Sequence, residues 1–151
     1  MSIDLQGVPV TVDEAVDAVF GDLSDPMPLL DRRARELLAG HDAIVWEADA
    51  STFAFGYVSE SAETVLGYPV SRWLDEPSFW ADVVVHAGDR ASCVSFCAAE
   101  TSRCRDHVFE YRATAVDGRM IRLRDYVRIV TDAHGAPDRL RGVMVAVRSI
   151  R

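Results

Sequence analysis

The sequence predicts an α+β domain with one five-stranded antiparallel sheet, helices on one face of that sheet, and an N-terminal helical extension. Two amphipathic segments come before any segment with strand-like alternation. Two short runs rich in β-branched and aromatic residues follow, and the last third of the chain holds three such runs joined by turns. Because the strands of a meander pair antiparallel and the intervening helices must cover a sheet face, these observations indicate a single-sheet α+β domain.

The first two segments are predicted to be helices. In "VTVDEAVDAVFGDL", Thr11 and Glu14 have the spacing of a capping box, which favours a helix start. The apolar stripe of this helix consists of Val12, Val16, Val19, Phe20 and Leu23. The second segment has an apolar face made of Leu30, Ala34, Leu37 and Leu38, and Gly40 is its expected stop. We therefore assign residues 1–41 to the N-terminal helical extension and residues 42–151 to the sheet domain.

The middle of the sheet domain holds a hairpin followed by helices. "AIVWEAD" and "FAFGYVS" have strand composition and flank a turn-prone stretch, so they are predicted to pair. A short helix is expected around "SAETVLG", and Pro77 must interrupt the Trp-containing segment that follows. "DRASCVSFCAAETSR" has the length and the small residues of a full helix.

The last three predicted strands are "HVFEYRATAV", "MIRLRDYVRIVT" and "LRGVMVAVRS". In the final strand, Val143 and Val145 point to one face of the sheet, and Met144 and Ala146 point to the other. A strand that is apolar on both faces is expected at the sheet centre. We expect an N-terminal helix to dock on its Met144 and Ala146 side and also to pair with the same helix of a second subunit, giving a two-fold dimer. A monomer with the helix folded back is the alternative.

Composition limits the function classes. The chain has 151 residues, 49% of them apolar, which is enough for one domain core. Its formal charge of -8 opposes binding to nucleic acid or to an anionic membrane surface. Neither a membrane-length apolar run nor a signal-peptide pattern is visible, and three cysteines without a CxxC motif fit a reducing compartment. We therefore expect a cytoplasmic protein.

The stretch "FWADVVVHAGDR" ends in a polar cluster that is typical of several kinds of site. His86 and Asp89 supply two metal ligands, whereas a protein metal site usually has three or four. We instead expect Asp89 to cap a helix that begins near Arg90. The sequence also shows no nucleophile and base, carboxylate pair, phosphate-binding glycine loop or HExxH motif, so we do not expect an enzyme.

Residues 42–149 resemble a PAS domain, specifically the PAS fold-3-like subgroup typical of bacterial sensor proteins. The resemblance rests on "FGYVSESAETVLGYP", "SFWADVVVHAGDR", "FEYRATAVDGR" and "LRGVMVAV", which follow the family's order and usual spacings. In that family, the stretch at residues 86–90 is normally His-Pro-x-Asp-Arg, and Ala87 replaces the proline here. The resemblance implies a sensory domain with a five-stranded sheet that detects a small ligand or a partner.

The resemblance also carries expectations about output and cofactors. It implies signalling to an output module such as a histidine kinase, a diguanylate cyclase or a phosphatase, and the alternative is a ligand-free PAS module for dimerisation or protein interaction. Flavin-binding light sensors of the family carry a reactive cysteine in an Asn-Cys-Arg motif, which "SCVSFC" lacks. Haem-binding relatives often place a histidine on the long helix, and residues 91–103 contain none. We therefore expect neither haem nor flavin, and the cofactor, if any, stays unknown.

Cysteines recur along the predicted long helix. Cys93, Cys97 and Cys104 fall on one helical face at 100° per residue. Burial as small apolar side chains is the expected reason, and redox or metal sensing is the alternative. His107, just beyond the helix, is expected at a strand edge.

A mostly apolar ligand cavity is predicted between the long helix and the sheet face that it covers, with a phenol as its polar group, and the expected ligand is a small apolar molecule. The candidate ligand-binding residues are Phe96, Cys97, Tyr111, Leu123, Val127 and Val145. A filled core is the alternative, because small domains use many such residues for packing alone.

Overall fold

The structure is a computed structural model, and it describes residues 11–147. Residues 1–10 of the predicted extension and residues 148–151 lie outside the described part of the chain. The helices are α1 (Val12–Phe20), α2 (Met27–Leu37), α3 (Ser61–Val65), α4 (Val70–Asp75) and α5 (Ala87–Ser102), with a π-helix at Trp80–Val84. The strands are β1 (Ala43–Asp49), β2 (Phe55–Val58), β3 (His107–Thr114), β4 (Met120–Thr131) and β5 (Pro137–Ala146).

The five strands form one antiparallel sheet in the order β2-β1-β5-β4-β3. This confirms the predicted α+β fold, and β5 lies at the centre, as its two apolar faces indicate. Residues that pair directly across an antiparallel ladder share a face of the sheet. Trp46 of β1 and Val127 of β4 both pair with Gly142 of β5, so these three positions belong to one face.

Each face of the sheet carries its own apolar core. The inner face, which includes Trp46, Leu123 and Met144, packs beneath α3, α4, the π-helix and α5. The outer face, which includes Val143 and Val145, packs beneath α1 and α2. The N-terminal helices thus cover the Val143 and Val145 side of β5, and the prediction that they dock on Met144 and Ala146 is wrong. Those two residues belong to the inner core instead.

The apolar stripe of α1 is used within the chain. The capping box is present, since the Thr11 hydroxyl accepts the Glu14 N–H at 3.1 Å. Val16, Val19 and Phe20 are buried in the outer core. The two-fold dimer was predicted from apolar surface that this helix would leave exposed. The central members of the stripe do not provide that surface, because they are already covered within the chain.

Polar contacts fix the N-terminal helices to the sheet at the rim of the outer core. The Tyr126 hydroxyl of β4 donates to the Asp13 carboxylate of α1 at 2.5 Å. The buried Arg141 of β5 donates to Glu47 at 2.7 Å and to the backbone carbonyl of Asp25, between α1 and α2, at 2.6 Å. A movement of β4 or β5 would therefore change hydrogen bonds to α1 and to the segment between α1 and α2.

The loop at residues 86–90 is a helix start, but the cap differs from the prediction. Helix α5 begins at Ala87, and His86 Nδ1 accepts the Gly88 N–H at 3.0 Å. Asp89 lies inside the helix and accepts from the backbone N–H and the guanidinium of Arg112 in β3. These bonds hold the pKa of Asp89 well below its usual range. Asp89 thus ties α5 to the sheet, and His86 does the capping.

Candidate functional site

A buried carboxylate is the main polar feature of the inner core. Asp125 of β4 is 1% exposed and lies on the inner face of the sheet. Its Oδ1 accepts the Trp46 Nε1–H at 3.1 Å, and its Oδ2 accepts the Tyr111 hydroxyl at 2.9 Å. The Tyr111 oxygen in turn accepts the Trp80 Nε1–H at 3.0 Å. One hydrogen-bonded chain therefore joins β1, β4, β3 and the π-helix.

The surroundings of Asp125 do not neutralise its charge. Within residues 11–147, no arginine or histidine forms an ion pair with it. Burial raises the pKa of Asp125 to about 7, against the opposing effect of the hydrogen bonds from Tyr111 and Trp46. The carboxyl group therefore keeps its proton to a higher pH than an exposed aspartate does.

A small cavity of about 30 Å³ adjoins this carboxylate. That volume accommodates a group of about the size of a water molecule or an ammonium ion. Its walls are almost entirely apolar and aromatic, and they consist of Trp46, Ala48, Phe53, Phe55, Trp80, Cys97, Phe109, Leu140 and Met144 around Asp125. A carboxylate beside a small cavity lined by apolar and aromatic side chains is the candidate functional site of this domain.

A surface groove of about 330 Å³ lies next to the cavity. Phe53, Phe55 and Trp80 line both spaces, so these three side chains stand between the cavity and the groove. Phe53 has φ +60°, a backbone conformation that is uncommon for an aromatic residue and that recurs at ligand-binding sites. A movement of these side chains would join the cavity to the groove.

The six predicted ligand-binding residues do not all lie together. Cys97 lines the cavity, and Tyr111 reaches it through its bond to Asp125. Leu123 and Val127 are buried in the inner core. Phe96, by contrast, is 41% exposed on α5. Assigning Val145 to the inner face is wrong, because Val145 lies in the outer core beneath the N-terminal helices.

Apart from Cys97, the residues that line the cavity were missed by sequence reasoning. Asp125 has the same parity along β4 as Leu123 and Val127, so the alternation already places it on the inner face. A charged residue among inward-facing apolar ones is the signal that could have found it. Trp46, Phe55 and Trp80 come from separate elements and carry no such signal.

The cysteines divide into two kinds. Cys93 and Cys97 are buried on α5, but Cys104 follows the end of that helix and is exposed, so the prediction that all three share one helical face is wrong for Cys104. Cys97 Sγ lies 3.3 Å from Nε2 of the buried His107, the first residue of β3, which is an edge strand. Burial raises the pKa of the Cys93 thiol to about 11 and that of the Cys97 thiol to about 12.

This difference predicts selective thiol labelling. At pH 7.5, a maleimide should modify Cys104 rapidly. It should modify Cys93 and Cys97 at a rate at least about a hundredfold lower, because the thiolate is the reactive species and burial disfavours it at these two residues. Mass spectrometry against time measures the two phases. Cys104→Ser should remove the fast phase alone. Three thiols reacting at one rate would show that α5 does not protect the buried pair.

The described residues contain neither a metal-binding cluster nor a membrane-spanning helix. No group of three or more His, Cys, Asp or Glu side chains within residues 11–147 is arranged to hold a metal ion. No helix in the same part of the chain is long and apolar enough to cross a membrane.

Comparison with known proteins shows the family. The family model of the PAS fold matches residues 55–144. The PAS sensor domain of a diguanylate cyclase from Marinobacter aquaeolei is 34% identical, with a TM-score of 0.63, and the match covers 68% of this chain and 92% of that one. The chain therefore belongs to the PAS family, whose domains are generally sensory modules without catalytic activity.

More distant structures share the fold. A sensory box histidine kinase/response regulator from Burkholderia thailandensis is 22% identical, with a TM-score of 0.59, over 76% of this chain and 84% of that one. The PAS-B domain of Cycle from Drosophila melanogaster is 13% identical, with a TM-score of 0.58, over 69% of this chain and 99% of that one. The search of curated proteins gave no match.

Proposed function

We propose that this PAS domain is the sensory part of a bacterial signal-transduction protein, and that it binds a small ligand in the cavity at Asp125. The observation that carries the proposal is the buried carboxylate, which faces a cavity rather than a partner of opposite charge. The output module is a histidine kinase, a diguanylate cyclase or a phosphatase. The similar domains from a diguanylate cyclase and a histidine kinase support that choice.

Strand β4 is the proposed path of the signal. Asp125 points to the cavity, whereas the next residue, Tyr126, points to the outer core and binds Asp13 of α1. Two residues further on, Arg128 donates to Asp17 of the same helix at 2.5 Å. A ligand that twists or shifts β4 at Asp125 therefore changes both contacts. The N-terminal helices are the element that reports the change.

A second candidate function is a PAS module that binds no ligand and serves in dimerisation. The small cavity volume favours it, since a core that packs shut needs no ligand. The homodimer predicted through α1 lacks its original support, because Val16, Val19 and Phe20 are buried within the single chain. Sedimentation velocity at tens of micromolar tests it. A dimer is the predicted result, and a monomer throughout that range would contradict it.

We also propose that the protein is located in the cytoplasm. Three free cysteines fit a reducing compartment, and the formal charge of -8 opposes nucleic acid and anionic lipid as partners.

Native mass spectrometry of the whole chain purified from cells tests ligand binding. We expect a population that carries a small organic molecule. Ala48→Leu should lose that population, because the added side chain fills the cavity that Ala48 lines. Ala98→Leu, on the exposed side of α5, is the control that should keep it. A bare mass for the natural chain, under conditions that preserve weak complexes, would favour the ligand-free module.

A further inference from the structure

We infer that the ligand is a short primary alkylamine, bound with its ammonium group against Asp125 inside the aromatic cavity and its alkyl chain directed toward the groove. The inference rests on the proposed function, since it names the chemical class that the cavity selects. It is carried by the charge of the site, the aromatic walls and the size of the space.

The charge of the site calls for a cation. Each oxygen of the Asp125 carboxylate accepts one hydrogen bond from a neutral donor, and a carboxylate has room for about four. A buried anion without a counter-charge is costly, and an ammonium group supplies both the missing charge and further donors. The Tyr111 and Trp46 donors hold the carboxylate in place for it.

The walls of the cavity suit an ammonium head group. Trp46, Phe55 and Trp80 line the cavity, and aromatic faces attract cations through their quadrupole by about 0.5 to 2 kcal/mol each. A multivalent metal ion is a poorer fit, because Asp125 is the one carboxylate among the lining residues. The volume of about 30 Å³ admits a primary ammonium head but excludes a guanidinium or a quaternary ammonium.

The groove provides a place for the alkyl chain. It shares Phe53, Phe55 and Trp80 with the cavity, so a chain that leaves the head group passes between aromatic rings. Asp75 lines the groove and, with the formal charge of -8, favours the approach of a cation, whereas Glu76 beside it is paired with Arg72. An anionic ligand would be repelled at each of these points.

A cationic ligand and a neutral ligand respond differently to pH. An ammonium group binds the ionised Asp125, so amine binding should strengthen as the pH rises through the pKa of Asp125 at about 7. The ionisable groups near Asp125 are Tyr111 on β3 and Cys93 and Cys97 on α5, and burial raises the pKa of each above this range. His107 lies on the far side of Cys97. The Asp125→Asn variant distinguishes an effect of Asp125 from an effect of His107.

Calorimetric titration of the whole chain with n-butylammonium chloride and with n-butanol, at pH 6 and pH 8, tests the inference. At pH 8 and matched ionic strength, we expect the amine to bind at least tenfold more tightly than the alcohol. The amine affinity should fall about tenfold at pH 6, because the ionised fraction of a carboxyl with a pKa of about 7 falls by that factor. The alcohol affinity should not change.

Two variants locate the effect. Asp125→Asn should remove both the preference for the amine and its pH dependence. Asp117→Asn removes one negative charge at the exposed β3–β4 turn and should leave both unchanged. An alcohol that binds as tightly as the amine, or an amine preference that survives Asp125→Asn, would overturn the amine inference, whereas the proposed ligand sensor would stand if the native mass shows a ligand. If neither probe binds and the native mass is bare, both fail.

Discussion

Asp125 is expected to lower the folding stability of the natural chain by about 4 kcal/mol between pH 4 and pH 8. Asp125→Asn is expected to abolish this pH dependence. Burial raises the pKa of Asp125 from 3.8 to about 7 in the folded chain. Each unit of difference between the folded and unfolded states corresponds to about 1.4 kcal/mol. The asparagine does not ionise, so the variant has no such dependence.

The direction of the effect follows from where the proton is held. Below pH 3.8, both states are protonated and Asp125 makes no difference between them. Between pH 3.8 and about 7, the folded chain keeps a proton that the unfolded chain has lost, so stability falls as the pH rises. Above about pH 7, the loss is complete. The charged form of Asp125 is therefore costly in the folded chain relative to the protonated form.

Urea unfolding at intervals from pH 4 to pH 8 measures this effect as a difference between variant and natural chain. Subtraction removes the contributions of the other ionisable groups, because both proteins contain them. The variant keeps one acceptor oxygen for the two donors Trp46 and Tyr111, so one of them loses its partner, at a cost of about 1 to 3 kcal/mol that does not vary with pH. Parallel stability curves for the two proteins would show that Asp125 has an ordinary pKa and is not enclosed.

Gly142→Ala is expected to cost about 2 to 6 kcal/mol and to abolish ligand binding. Gly142 pairs with Trp46 across the β1–β5 ladder, and a methyl group on Gly142 would overlap the Trp46 indole at Cε2, Cζ2 and Nε1. Overpacking of a core costs about 1 to 3 kcal/mol, and displacing the indole also breaks its bond to Asp125, at about 1 to 3 kcal/mol. The glycine thus gives Trp46 its position.

Gly56→Ala is the matched control, because it also adds a methyl group to a strand glycine. Nothing lies within 4 Å of the added carbon, and the backbone of Gly56 is not left-handed. This variant should be as stable as the natural chain or slightly more so. Urea unfolding followed by tryptophan fluorescence compares the two. Equal stability for Gly142→Ala and Gly56→Ala would mean that Trp46 is free to move and does not define the cavity.

Strand alternation made the sheet predictable. It did not predict which face of β5 lies against the long helix. The parity of β5 is clear from the sequence, since Val143 and Val145 alternate with Met144 and Ala146. The register with β4 pairs Asp125 with Met144, and a shift of one residue would exchange the two faces. No local signal fixes that register when both faces are apolar. This is why Val145 was assigned to the inner face.

The candidate site was predictable only in part. Tyr111 and Cys97 follow from alternation and helical periodicity, and both contribute to the site. Asp125 was within reach of the same reasoning, but a charged residue in a strand is ordinarily assigned to the solvent face. The aromatic walls come from the β1–β2 region, the π-helix and β3, which are far apart in the chain. Tertiary packing alone brings them together.

A crystal structure of the chain purified from cells tests most directly whether the cavity at Asp125 is a ligand site. We expect density for a small molecule within hydrogen-bonding distance of the Asp125 carboxylate, enclosed by Trp46, Phe55 and Trp80. The side chains between the cavity and the groove should be displaced to admit it. A cavity that is closed, or that holds a lone water molecule on Asp125, would contradict the assignment of this site to ligand sensing.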